Sequence, residues 1–411
     1  MIEGVKSQIT AAELGIGQAA NLPPEQRADN QNWTLAPWNR WSFQRVQNFT
    51  RTVRIPAANK QSTLRSNPVS LGDLAFQDSN NHPCTIDEML GRTWTDGFMV
   101  LHSGDVATEQ YFNGMRPHTL HLMMSCSKSF TSTLLGIYVE KGVIDPAQQL
   151  TQFIPELSGT GMDGATLQEA LDMRVGVKFN EDYDDLNADW RLMEVATGWR
   201  DPDPDYNGPR DMVGYMQTLT ETESDHGGAF HYKSILTDVV GLCLQRATGR
   251  LFEELFFDHI WNPLGTEQDL VSIIDSCGNA IFEGGFNVCL RDFARFAQMI
   301  CQGGVYNGQE LVADSWINQC RFPGRQLIDA FAQSQYGEAL PDHAYHNKWW
   351  VRDPGRGVLM ALGIHGQTMY IDPERQFVAV KFSSQPHQSD ANMVLDQMLA
   401  FEAIADFVCR D

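Results

Sequence analysis

Apolar and β-branched runs, Phe98-Met99-Val100-Leu101-His102 and Val106-Ala107-Thr108-Glu109-Gln110-Tyr111-Phe112, flank Ser103-Gly104-Asp105. That pattern predicts a β-hairpin closed by a Ser-Gly-Asp turn. A helix follows Ser125, carrying Leu134, Leu135, Ile137, Tyr138 and Val139, and Lys141-Gly142 ends it with a basic last turn and a glycine stop. Asp145-Pro146 opens the next segment. Residues 160 to 290 read as largely helical, interrupted by an acidic loop from Asn180 to Asp189, and Ser234 to Gly249 is an amphipathic helix. After Gly363 the period returns to strands. Met369-Tyr370-Ile371 and Phe377-Val378-Ala379-Val380-Lys381-Phe382 flank an Asp372-Pro373 turn, and Ala391 to Val408 reads as a closing helix. The first 70 residues are Gln-, Asn- and Pro-rich and read as an irregular arm pinned to the body by Trp33, Trp38 and Trp41. Strands, then helices, then strands and a helix predict an α+β fold: a mostly antiparallel sheet built by both chain ends, with a helical lobe inserted between.

Length and composition narrow this picture. The 411 residues suit one two-lobed unit or two to three small domains, and 42% apolar with 20% charged residues is ordinary globular usage. The sequence has no run of 18 apolar residues, and Met1-Ile2-Glu3-Gly4-Val5-Lys6 has neither a basic head nor an apolar stretch, so a cytoplasmic location is expected. Eight scattered cysteines include no C-x-x-C pair and read as reduced thiols, with Cys126 singled out by its place in the chain. The net charge of −22 repels phosphate backbones, which argues against nucleic acid and anionic membranes as partners.

Several site motifs are missing: G-x-S-x-G, H-E-x-x-H and G-x-x-x-x-G-K-[ST] do not occur. What remains is Ser125-Cys126-Ser127-Lys128 at the start of a helix. Residues three apart share a helix face, so the Lys128 amine can reach the Ser125 hydroxyl. Serine needs such a base to act as a nucleophile, and a desolvated lysine can supply it. With 21 serines and eight lysines, roughly 0.4 chance matches are expected, so alone the motif suits an ordinary capped helix equally well. Tyr232-Lys233-Ser234 also precedes a helix. Tyr232 there is either a proton carrier or a core tyrosine beside a Ser N-cap. Gly363-Ile364-His365-Gly366-Gln367 enters a strand. Its glycines allow the close backbone approach that an oxyanion hole needs, or form a plain turn.

Together, in this order and spacing, the three elements resemble the penicillin-recognising serine hydrolases. The chain resembles class C β-lactamases and their esterase relatives, and most closely the 6-aminohexanoate-dimer hydrolases, which cleave nylon oligomers. The stretches that carry the resemblance include Asn39-Arg40-Trp41-Ser42-Phe43, Met124 to Ser129, Gly142 to Gln148, Asn180-Glu181-Asp182-Tyr183, Gly198-Trp199-Arg200, Phe230-His231-Tyr232, Trp349-Trp350 and Gly363 to Gln367. It covers the chain from about residue 39 onward.

The resemblance implies a β-lactamase/DD-peptidase-like fold with the site at a lobe junction. An N-terminal arm would occupy 1–38, an α/β lobe 39–120 with 290–411, and a mainly helical lobe 121–289. Ser125 would be the acylated serine, Lys128 its base and Tyr232 a proton relay. The main-chain N–H groups of Ser125 and Ile364 would form the oxyanion hole. Tyr183 would close over an amide substrate, and Trp350, His365 and Gly366 would line the pocket. Glu194 and Glu283 stand where the dimer hydrolase carries aspartate and asparagine, so the substrate is less defined than the chemistry. Glu194 could receive an ammonium group. The expected partner is a small amide or ester, with a homodimer the one protein assembly considered, and neither a metal nor an organic cofactor is implied.

Overall fold

A computed structural model describes residues 9–183, 185 and 187–409. The strands Phe377–Ser383 and Thr95–His102 pair antiparallel, with Val380 opposite Met99, and so join the two ends of the chain. Around this seam an eight-stranded sheet runs Ala344–His346, Trp349–Asp353, Val358–Gly363, Gln367–Asp372, Phe377–Ser383, Thr95–His102, Asp105–Tyr111 and Arg65–Ser66. All pairs are antiparallel except the short Arg65–Ser66 edge. The central strands are apolar on both faces because both faces are covered. Phe98 stacks on Phe401 of the Ala391–Val408 helix at 6.0 Å, and Phe382 stacks on Phe293 of the Leu290–Cys301 helix at 4.8 Å. The hairpin, the C-terminal strands and the closing helix follow the sequence pattern, and the chain has the expected α+β architecture.

A second, four-stranded sheet amends the reading of two regions. Its order is Thr52–Ile55, Leu270–Ile273, Phe286–Val288 and His121–Leu122. Leu270–Ile273 and Phe286–Val288 lie inside the stretch read as largely helical, and Thr52–Ile55 lies inside the stretch read as an irregular arm. Both inner strands are fully buried. Burial removes the alternation that marks a strand, so a short apolar run reads like a helix segment. Elsewhere in 160–290 the helices are short, apart from Ile235–Thr248.

The helices that carry the site pack tightly. Ser127–Glu140 is buried on nearly every side and lies against Ile235–Thr248. A side chain at Gly136 would come within 2.4 Å of the Trp316 indole, so that glycine sets the closeness of packing. Of the three tryptophans near the start, Trp33 is the anchor. It stacks between Phe49 at 5.7 Å and Trp199 at 5.4 Å, and its Nε1 donates to the Trp199 carbonyl at 2.6 Å. Arg40 is buried with Asp96, 2.9 Å from its carboxylate, and His121 Nε2 lies 3.0 Å from the same group. No helix of the described residues is long and apolar enough to cross a membrane.

Lys381 lies fully buried in the central strand across from Phe98. Its ammonium meets Ser383 Oγ and, at 3.5 Å each, the carbonyls of Thr93 and Gly366. Burial pushes its pKa down from 10.5 to about 7, with Asp96 opposing the shift. Between those values the unfolded chain holds a proton that the folded chain has released. Folding stability therefore rises with pH through this residue, by at most about 1.4 kcal/mol per pH unit. Urea denaturation of wild type and Lys381→Met at pH 7, 8 and 9 should show the variant's advantage shrinking as pH rises; a difference independent of pH would refute the assignment.

Candidate active site

Ser125 sits in a 3-10 turn, Met124–Cys126, that runs directly into the Ser127–Glu140 helix. Met124 adopts φ 48°, a left-handed conformation that costs a non-glycine residue about 1–2 kcal/mol. Three residues on, Lys128 shares the helix face. Its Nζ lies 2.8 Å from Ser125 Oγ, 2.7 Å from the Glu283 carbonyl and 3.2 Å from Glu283 Oε2. The lysine is 1% exposed, so among the described residues these three groups take the place of water as its hydrogen-bond partners.

Tyr232 approaches from the turn before the Ile235–Thr248 helix. It lines the same cavity as Ser125, whose hydroxyl works against the rise in its pKa. The ring stacks on Trp350 at 5.6 Å, and Lys128 Nζ lies 5.2 Å from the ring centre. Burial, reinforced by the negative charge of Glu181, pushes the phenol well above its usual range, so it stays protonated. The helix behind it ends at Gly249, in a left-handed conformation with φ 66°, as its sequence predicts. Its start differs from a simple Ser N-cap. The Ser234 side chain makes no cap, and both its N–H and its Oγ–H donate to the Glu181 carboxylate.

The Gly363–Gln367 segment forms the opposite wall. A Cβ on Gly363 would lie 2.7 Å from the Met123 carbonyl and 3.0 Å from Met124 Cβ, so only glycine lets this strand end reach the nucleophile turn. Among the described residues, neither the Ser125 nor the Ile364 main-chain N–H is taken up by an internal acceptor. Both remain free to meet an oxyanion. His365 follows with φ 61°, its N–H bonded to the Gln388 carbonyl. Its imidazole Nδ1 sits 2.7 Å from the Gln385 carbonyl, and the ring meets Phe43 edge-on at 5.2 Å. Burial lowers its pKa to about 4, so the ring is neutral. It braces the wall, with its nitrogen Nδ1 already occupied. Gly366 lines the larger cavity.

Two cavities meet at Ser125, with Tyr183 on both linings. One, about 50 Å³, is bounded by Trp190, Met193, Glu194, Trp199 and Glu283. The other, about 350 Å³, is bounded by Tyr232, Tyr336, Leu340, Trp350, Leu362 and Val394. Tyr183 packs edge-on against Trp190 at 5.2 Å and donates its hydroxyl to Glu181 Oε1 at 2.7 Å. Glu194 lies on the Asp189–Ala196 helix, with Arg191 at 3.3 Å and Arg200 at 3.4 Å on one carboxylate oxygen. Desolvation raises its pKa and the two guanidiniums oppose that. Its charge is thus already met by cations from the chain itself.

The model of the Beta-lactamase family matches residues 86–272. A 6-aminohexanoate-dimer hydrolase from Paenarthrobacter ureafaciens is 32% identical over 384 residues, covering 91% of this chain and 94% of that protein. The chain belongs to the β-lactamase family of serine hydrolases. A Bacillus anthracis structure bearing the name 6-aminohexanoate-dimer hydrolase superposes on this family member with a TM-score of 0.84 at 27% identity, over 94% of this chain and 99% of that one. A family VIII carboxylesterase shares the fold, with a TM-score of 0.56 at 13% identity, over 76% of this chain and 92% of that one.

Some site features of this β-lactamase-family hydrolase were not read from sequence. Thr34 belongs to the first 38 residues yet lines the smaller cavity, carried there by the Trp33 stack. Asp238 accepts the N–H groups of Phe282 at 2.9 Å and Glu283 at 3.1 Å, which fixes the loop that meets Lys128. An acidic residue on the buried face of an otherwise apolar helix was the available signal. Glu181 was visible only as part of a matching stretch. Cys126, the thiol of interest, is buried, with its Sγ 3.4 Å from the Ala361 carbonyl and its pKa pushed well up by burial, as suits an inert residue.

Gly363→Ala should lower kcat for an activated ester by at least about 100-fold, the scale of a lost oxyanion donor, because the new methyl drives the Ile364 segment away from Ser125. Steady-state kinetics beside a melting curve would check this. Unchanged kcat at an unchanged melting temperature would contradict the close-approach role.

Proposed function

We propose that the chain hydrolyses linear amides through an acyl-enzyme on Ser125, with ω-amino acid oligomers of the 6-aminohexanoate type as the substrate class. The observation that carries this reading is the 2.8 Å contact between Lys128 Nζ and Ser125 Oγ at the meeting point of two cavities. As a neutral amine, Lys128 keeps two N–H bonds on Glu283 and turns its lone pair to the Ser125 hydroxyl. Oγ attacks the carbonyl carbon as its proton passes to Nζ. The oxyanion is met by the Ser125 and Ile364 N–H groups. The tetrahedral intermediate collapses, the C–N bond breaks, and Tyr232 gives its proton to the departing nitrogen. Lys128 then returns a proton to Tyr232. Water then attacks the acyl carbonyl as its proton passes to Lys128, the tetrahedral intermediate collapses, and Lys128 returns that proton to Ser125 Oγ, freeing the serine.

A relative named for amide cleavage, covering nearly the whole chain, supports the amide reading. Tyr183 beside Ser125 supports it as well. An esterase is the second reading, and one observation favours it: the 350 Å³ cavity is walled by Tyr336, Leu340, Trp350, Leu362 and Val394, which suits an apolar alkoxide or phenoxide leaving group. A penicillin-binding protein that acylates without turnover is distinguished kinetically, since it would give a burst and no steady state.

Mass spectrometry after a fluorophosphonate should find one adduct, on Ser125. Ser125→Ala and Lys128→Ala should each lose about 10⁴-fold or more in kcat. Tyr183→Phe should slow 6-aminohexanoate-dimer cleavage while sparing p-nitrophenyl butyrate. An adduct elsewhere, or an active Ser125→Ala enzyme, would sink the mechanism, and a Tyr183→Phe variant that slows both substrates alike would leave the esterase reading ahead.

A further inference from the structure

We propose that Glu181 is a positioning residue for amide cleavage: its carboxylate ties Tyr183 to the turn that carries Tyr232. This rests on the acyl-enzyme reading above and adds a residue to it.

The geometry comes from three hydrogen bonds to one carboxylate. Glu181 accepts the Ser234 N–H, the Ser234 Oγ–H and, at 2.7 Å, the Tyr183 O–H. Ser234 stands two residues after Tyr232, and its N–H opens the Ile235–Thr248 helix. One side chain, 53 positions away in sequence from Ser234, therefore does what a local serine cap would do elsewhere. It also fixes the phenol of Tyr183 against the same turn. The helix N-terminus favours a negative charge at this spot. Glu181 touches both the smaller cavity and a third, polar one of about 490 Å³ that Tyr232 and Tyr183 also line. It thus stands in the partition between them.

The electrostatics point the same way. Burial is the largest cause of the raised Tyr232 pKa and the charge of Glu181 comes next; Glu181 acts likewise on Tyr183 and Tyr336. A carboxylate at this place disfavours the tyrosinate. Tyr232 then enters the reaction with its proton, and the Ser125 proton has one acceptor, Lys128. That proton inventory suits an amide. When the C–N bond breaks, the electron pair stays on nitrogen, which takes the Tyr232 proton; the Lys128 ammonium, charged by Ser125, restores it. A p-nitrophenolate leaves without needing a proton. Any defect in placing or protonating the tyrosines should therefore show on amides and not on activated esters.

The test compares Glu181→Gln, Tyr183→Phe and the double variant on 6-aminohexanoate dimer and on p-nitrophenyl butyrate. Glu181→Gln should lower kcat on the amide by about 10- to 100-fold, within the scale of a weakened general acid. KM, and the ester rate, should stay within about threefold. The double variant should lose less than the product of the two single losses, because both act through one hydrogen-bonded unit. If Glu181→Gln fails to fold, Glu181→Asp keeps the charge and shortens its reach, and should lose at least about fivefold on the amide with the ester rate held. Equal losses on the two substrates, or losses that multiply in the double variant, would overturn the proposal. Failure of the underlying mechanism would look different: no acylation of Ser125, whatever stands at position 181.

Discussion

A buried amine needs a polar partner for each of its N–H bonds and its lone pair, and Lys128 finds them in Ser125 Oγ and two oxygens of Glu283. Much of the site follows from that requirement. Leaving one such donor unmet inside a protein costs about 1–3 kcal/mol or more for a charge. The Glu283 loop must therefore lie where the lysine can reach it, and Asp238 holds it there through the Phe282 and Glu283 N–H groups. Asp238 is itself buried and its pKa is pushed well up, first by desolvation and then by Glu283. The helix pair, the loop and the nucleophile turn are thus one polar unit set in an apolar body. Moving any part leaves a buried partner unsatisfied, so the arrangement is rigid before substrate arrives.

The opposite wall is held by steric means. Met124 and His365 both sit at positive φ, and Gly363 lets their segments meet. Two non-glycine residues in that conformation on either side of one serine is strain that the surrounding packing sustains. Beside these two residues the Ser125 and Ile364 N–H groups meet no internal acceptor among the described residues. His365 shows how the wall resists collapse. A neutral, buried imidazole fastened to Gln385 and set against Phe43 props the strand from behind. The two chain ends meet in the sheet that carries this strand, so the wall is as firm as the seam between Phe377–Ser383 and Thr95–His102.

What could be read in the sequence was local or periodic. The hairpin, the Ser234–Gly249 helix and the closing helix are set by residues within one element. Ser125, Lys128, Tyr232 and the glycine strand could be read from helix spacing and chain order, and their closeness in space adds what spacing cannot supply. Features that depend on distant pairing were hidden. Leu270–Ile273 is a strand because Thr52–Ile55 lies beside it. Trp33 delivers Thr34 to the cavity because Trp199 stacks on it. Glu194 looks like an open anionic site until Arg191 and Arg200 are seen on it. His365 lines the smaller cavity, and only the structure shows its Nδ1 already held by the Gln385 carbonyl. In each case the deciding partner is distant in sequence, or carries no signal of its own.

The same pairing governs how the cleft treats charge. The chain has a net charge of −22, which would suggest an anionic site drawing cations. Each of the three glutamates on the smaller cavity has its own counterpart. Glu194 meets two guanidiniums, Glu283 meets Lys128, and Glu181 meets the N-terminus of the Ile235–Thr248 helix. Their fields are spent on holding the site together, and the long-range charge of the surface is screened within about 10 Å at ordinary salt. Selection at Ser125 then depends chiefly on shape and hydrogen bonding. A narrow chamber walled by Trp190 and Trp199 lies on one side, and a broader aromatic one under Trp350 on the other. Tyr183 stands on both linings, and the Glu181 carboxylate that holds its hydroxyl ties that shared wall to the turn before the Ile235–Thr248 helix.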